Sequence, residues 1–231
     1  MTSNVEAGYT GLENLEAMEH AHKYNAFLHG LIREHLTGRE IMDFGAGAGT
    51  FAILASSDYG RVVCVEPDGV LHDHLRQAGL EVVKELAAVA ECSVDAIYSF
   101  NVLEHIEDDE GALSELQRRL RSGGKLLLYV PAFNLLYSAM DRKVGHFRRY
   151  RRRELEERVR RAGFEIALSR YADSLGFFAA LAYKLVGGDS GVIDPRSVRL
   201  YDTFVFPVSR WLDRLVGAWF GKNLVVVARK P

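Results

Sequence analysis

Apolar side chains recur along this chain with two periods. Leu12, Leu15, Met18, Ala21 and His22, followed by Tyr24, Phe27, Leu28, Leu31 and Ile32, keep a three-to-four spacing that predicts helix through the first forty residues, with Gly38 as its stop. Beyond this point short apolar runs alternate with helical patterns. Residues 40–44, Arg61 to Glu66, Glu81 to Lys84, Asp95 to Phe100, Lys125 to Val130, Glu165 to Tyr171 and Asn223 to Arg229 predict seven strands. Helices are predicted over Thr50 to Ser56, Val70 to Ala78, Glu110 to Leu120 and Glu154 to Ala162, and Ser122-Gly123-Gly124 reads as a turn into the fifth strand, which Pro131 ends. Strands alternating with helices imply a mostly parallel sheet covered on both faces.

About fifty residues, 173–221, separate the last two strands, where a short turn could suffice. Their periodicity suggests helices, and they carry Phe177, Phe178, Tyr183, Tyr201, Phe204, Phe206, Trp211, Trp219 and Phe220. Core, dimer interface, membrane-surface docking and a roof over a substrate are all open readings of such density. The roof is the sharpest of them: the insertion and the loop from Phe133 to Tyr150 are expected to wall an acceptor pocket.

The chain of 231 residues fits one domain: 1–38 as N-terminal helices, 39–172 with 222–231 as the core, and 173–221 as the insertion. A net charge of −2 gives no global pull toward nucleic acid. Cys64 and Cys92 are too far apart for a redox or zinc motif, and Cys64 lies in an apolar run that predicts a buried thiol. The chain has neither a signal pattern nor a run of ~20 apolar residues, so a cytoplasmic location and no transmembrane segment are expected.

The most informative stretch is Ile41-Met42-Asp43-Phe44-Gly45-Ala46-Gly47-Ala48-Gly49-Thr50. A strand running through close glycines into a helix lets backbone N–H groups approach a ligand. Thr50 stands where a dinucleotide fingerprint has its third glycine, and the Asp43 carboxylate opposes a pyrophosphate but favours an ammonium. Glu66, about 20 residues on, is placed to accept both hydroxyls of a ribose.

On these residues the sequence resembles the class I S-adenosylmethionine-dependent methyltransferases. The resemblance extends to Asp95–Ile106 and Leu120–Leu127, and covers roughly residues 40–172 and 222–230. It implies an α/β, Rossmann-like, seven-stranded fold with helices on both faces, an N-terminal helical segment and a helical insertion before the last strand. It further implies S-adenosylmethionine as cofactor, with Asp43, Gly45, Ala46 and Gly47 at its methionine end. Glu66 and Pro67 would hold ribose and adenine, Leu86 would flank adenine, and Asn101 would lie near the sulfonium.

Methyl transfer to a hydroxyl is helped by a general base. His105 follows strand four and His146 sits in Asp141-Arg142-Lys143-Val144-Gly145-His146; both are catalytic candidates. Glu104, His105 and His146 also suggest a metal. Some relatives in the ubiquinone pathway and in small-RNA modification hold a divalent ion with a Glu-x-x-Glu-His segment. Asn101 replaces the first carboxylate here, and no metal is expected. The arginines from Arg148 to Arg153 invite an anionic partner, but Glu154/Arg158, Glu156/Arg160 and Glu157/Arg161 are helical pairs that favour a solvated face. The reading is methyl transfer to an oxygen or nitrogen of a small molecule, without a nucleic-acid partner, with a homodimer left open. An RNA-modifying enzyme and a cofactor-binding domain without transfer are the alternatives.

Overall fold

A computed structural model describes Met18, residues 20–186 and residues 194–231. The helical pattern at Leu12 and Leu15 and the middle of the insertion, 187–193, lie outside the described residues. In chain order the elements are α1 (His22–His35), β1 (Glu40–Phe44), α2 (Thr50–Ala55), β2 (Arg61–Val65), α3 (Gly69–Gln77), β3 (Glu81–Val83), β4 (Val94–Phe100), α4 (Asp109–Arg119), β5 (Leu120–Pro131), α5 (Ala139–Lys143), α6 (Arg152–Arg161), β6 (Glu165–Ala172), α7 (Ser174–Val186), α8 (Pro195–Leu200), α9 (Phe206–Val216) and β7 (Asn223–Arg229).

The seven strands form one sheet in the order β3-β2-β1-β4-β5-β7-β6. β1 to β5 pair in parallel, and β7 runs antiparallel between β5 and β6. Side chains alternate across the sheet. Met42, Ile97, Leu126 and Val226 face one core with α4 and α6, while Ile41, Ala96, Leu127 and Val225 face the other with α1 and α3. Because both faces are covered, the central strands are buried nearly end to end, Cys64 included. The chain leaves β1 toward β3 and then returns to β4 on the opposite side of β1. The resulting crevice at the C-terminal ends of β1 and β4 is where open α/β sheets bind ligands.

The Ser122–Gly124 turn lies inside β5 rather than before it. Val94 pairs with Leu120 and Ala96 with Lys125, so residues 121–124 bulge out opposite Asp95. The bulge is held by Arg121, which bonds Asp95 at 2.7 Å and Glu40 at 2.6 Å. Sequence patterning saw the glycines but not this tether.

The insertion is built mainly of α7, α8 and α9 among its described residues, with a π-helical turn, Tyr201–Val205, joining α8 to α9. Its buried acids serve as long-range caps. Asp213 accepts the N–H groups of Asp173 and Ser174 at the start of α7, each at 2.8 Å. Asp202 accepts those of Lys23 and Tyr24 at the start of α1, at 2.9 and 2.8 Å. The N-cap residue Ala21 offers no side-chain cap, so the orphan N–H groups of the first turn are partly satisfied from the far end of the chain. Among the described residues, no helix is long and apolar enough to cross a membrane.

Candidate active site

The glycine loop begins where β1 ends. Gly45 has a φ of +80°, and a Cβ built on it would stand 2.3 Å from Val102 Cγ2. Both the left-handed backbone and the close approach of the loop after β4 therefore require glycine. The Gly45 and Ala46 N–H groups donate to the Val65 carbonyl, and the Gly47 N–H donates to Glu66 Oε2 at 2.8 Å. These bonds fix the loop against the end of β2. Above it opens a cavity of about 640 Å³ lined by Asp43, Gly45, Ala46, Gly47, Glu66, Pro67, Asn101, His105 and His146, together with residues from α1 and from the end of β5. Leu86 is not among the lining residues; it occupies a short helical turn packed against the core behind β3.

Asp43 is buried and accepts the Tyr98 hydroxyl at 2.9 Å. Burial pushes its carboxyl up to about 7, against the pull of Tyr98 and with help from Glu66. An ammonium brought to it would supply the countercharge that burial otherwise denies. Glu66 is also raised by burial, opposed by the N–H groups of Asp68 and Gly47. Its Oε1 accepts from Asp68 at 2.9 Å. A carboxylate offers about four acceptor sites, so two stay open for a diol. Asn101 adopts a φ of +55° and anchors its N–H on the Tyr129 carbonyl at 2.8 Å, which presents its side chain at the end of β4.

Across the cavity the two histidines meet edge to face, with ring centroids 4.5 Å apart. Their environments differ. His105 is pushed down to about 4, first by burial and then by His146, so it is neutral at pH 7 and a weak base. His146 Nδ1 lies 2.7 Å from Asp141 Oδ1. The buried Asp141 is held well below the usual carboxylate range by His146, by Arg149 and by the Ser138 N–H, which together outweigh its desolvation. An ionised Asp141 only accepts, so the Nδ1 proton belongs to His146, and in the neutral ring Nε2 is the proton acceptor. Arg149 clamps the same carboxylate at 2.8 and 3.0 Å. Glu104 is fully buried, its carboxyl pushed up to about 8 by desolvation, and Oε1 stands 3.8 Å from His146 Nε2. One donor atom from each of Glu104, His105 and His146 falls within 4.8 Å of the others. A carboxylate with two imidazoles is a donor set that suits a borderline divalent ion.

Sequence reasoning passed over several residues of this site. Tyr24 and Leu28 of α1 line the cavity, as does Lys222. No local pattern announces them, because α1 is brought over the sheet by Asp202. Asp141 did carry a signal: Ser138-Ala139-Met140-Asp141 is a capping box that starts α5. The expected wall can be compared with the cavity lining. Among the described residues of 173–221 none lines the cavity, although Met140, Val144, His146 and Arg149 of the 133–150 loop do. The insertion instead packs behind α1, where Phe206 lies against Tyr24 and Phe27.

The arginine run is mostly consumed internally. Arg148 bonds Asp109 at 2.9 Å, Arg149 bonds Asp141, and Arg158, Arg160 and Arg161 reach Glu154, Glu156 and Glu157.

The sequence profile of the family described as "Methyltransferase domain" matches residues 16–169. A protein of Mycolicibacterium smegmatis named "Probable S-adenosylmethionine-dependent methyltransferase" is 31% identical over 148 residues, covering 61% of this chain and 56% of its own length. The chain thus spans little more than half of that relative. Two solved structures share the fold. One is a chain of the Haloferax volcanii complex between the Trm112 methyltransferase activator and a methyltransferase (TM-score 0.66, 18% identity, 96% of each chain). The other is an S-adenosylmethionine-dependent methyltransferase of Thermotoga maritima (TM-score 0.65, 18% identity, 95% of each chain). The chain belongs to the methyltransferase-domain family and is of the class I, S-adenosylmethionine-dependent type.

Proposed function

We propose that this protein transfers the methyl group of S-adenosylmethionine to an oxygen or nitrogen of a small molecule, with His146 as general base. The observation that carries the reading is the 2.7 Å Asp141–His146 pair on the wall of the cavity that Asp43 and Glu66 also line. The sulfonium leaves as a neutral thioether, so positioning supplies much of the acceleration. The base takes the proton that the acceptor loses as the new bond forms. Asp141 orients the imidazole and stabilises its protonated form, and Arg149 keeps Asp141 ionised.

Radiolabelled methyl transfer to a panel of phenols, alcohols and amines tests the assignment. His146→Ala should lower turnover by about 10² to 10⁴, with S-adenosylhomocysteine affinity within about twofold by calorimetry. A variant that keeps wild-type turnover would remove His146 from the mechanism.

A second reading is favoured by Glu104, neither of whose buried oxygens has a well-formed hydrogen bond among the described residues. Glu104, His105 and His146 would hold a divalent ion, which would polarise a bound hydroxyl, and Asp141 would orient His146 from behind. Chelation separates the two. Under the first reading transfer survives it; loss that manganese or zinc restores would establish the second.

A further inference from the structure

The helix running from α8 through the π turn into α9 is amphipathic the wrong way round. Asp202, Phe206, Ser209 and Asp213, spaced as one helical face, are at most 5% exposed. On the opposite face Leu200, Phe204, Val208, Trp211 and Leu215, continued by Trp219, are between 51% and 70% exposed. The inward face cannot exchange with the outward one. Asp202 caps α1, Asp213 caps α7, and Ser209 donates to Asp173 at 3.0 Å. Rotating the helix would strand three buried polar groups and two helix starts. The outward stripe of two tryptophans, a phenylalanine and three aliphatic side chains is therefore a built face, and scattered exposure does not account for it.

The charges around it define what it meets. Between Pro195 and Val216 the exposed charged residues are Arg196, Arg199 and Arg214, and both acids are buried. Arg210 lies between, half-buried with its guanidinium 3.7 Å from the centre of the Phe27 ring. Asp194, just before the helix, is engaged as its cap by the Arg196 N–H and the Ser197 hydroxyl. A two-fold contact between copies would set this cationic face against itself. An apolar stripe with tryptophans and an arginine border suits the boundary of an anionic bilayer, where such a helix lies in the plane of the headgroups. We propose that the outward face of α8–α9 docks the protein on the surface of a membrane rich in anionic lipid, without spanning it.

Sedimentation with extruded vesicles tests this, comparing pure phosphatidylcholine with phosphatidylcholine carrying about 30% phosphatidylglycerol. The wild type should bind the anionic vesicles with a blue shift of tryptophan emission, and bind neutral ones about tenfold more weakly. Trp211→Ser with Leu215→Ser should lose binding to both. Arg199→Gln with Arg214→Gln should erase the preference for anionic lipid. All variants should keep S-adenosylhomocysteine affinity, which certifies the fold. Failure of the folded wild type to bind anionic vesicles at low salt would overturn the proposal. So would a wild-type dimer by light scattering that Trp211→Ser with Leu215→Ser makes monomeric, since that outcome assigns the stripe to a second copy. Neither result bears on His146 or on methyl transfer.

Discussion

Along the β1–β2 edge of the cavity Asp43 and Glu66 are buried carboxylates that no arginine or lysine pairs with among the described residues, and burial lifts both above their ordinary range. Across the cavity Asp141 is equally buried, yet lies far below that range because Arg149 and His146 grip it. The β1–β2 side, proposed above for the cofactor, thus keeps unspent affinity for a cation, and the Asp141 side, proposed for the acceptor, has its charge already balanced. The first arrangement is suited to binding a charged ligand. The second is suited to holding an imidazole in one orientation while a proton moves.

The largest test of this contrast removes one carboxylate from each side. Asp141→Ala leaves the buried Arg149 without its partner and should cost about 3–5 kcal/mol of stability, read as a fall in melting temperature. Asp43→Asn removes a charge that burial already penalises. Its melting temperature should stay level or rise, while affinity for S-adenosylhomocysteine drops. Equal destabilisation by both variants would break the comparison.

A smaller effect follows from Asp43 lying near 7. If the ionised form holds the cofactor's ammonium, affinity should be full above about 7 and decline as pH falls through it. The decline should approach about tenfold per pH unit, and Asp43→Asn should flatten it. Calorimetry across pH 5 to 8 at constant ionic strength measures both.

The smallest expected effect concerns the support of the acceptor side. Asp202→Ala uncaps α1 and should cost about 1 kcal/mol. It should also loosen Tyr24 and Leu28 on the cavity wall, raising the acceptor KM more than it lowers kcat. A change confined to cofactor affinity would instead place α1 on the cofactor side.

The grouping of the glycine turn with Asp43 and Glu66 was legible in the sequence because its parts are local. Asp43, Gly45, Ala46 and Gly47 follow one strand, Glu66 ends the next, and the parallel pairing of β1 with β2 brings them together. The five inner strands could be read for a similar reason, since burial on both faces leaves near-continuous apolar runs. His105 and His146 were both nameable as candidates, but nothing in their neighbourhoods ranked them. Burial beside a second imidazole lowers the basicity of His105, and a buried Asp141 holds His146. The same limit applies to the insertion: its aromatics suggested a roof, and among the described residues the cavity is lined by α1 and the 133–150 loop.

What the sequence by itself determined is the order of the elements, the glycine turn with its two carboxylates and the kind of cofactor they suit. These depend on side-chain periodicity and on residues within one strand-to-helix turn. Only the tertiary structure decided which histidine has a carboxylate behind it, that Asp202 caps a helix some 180 residues away, and which way α9 faces. In α9 the apolar stripe alone would have been turned inward. Satisfying three buried polar groups and two helix starts outweighed hiding that stripe, and this balance depends on partners that lie far apart along the chain.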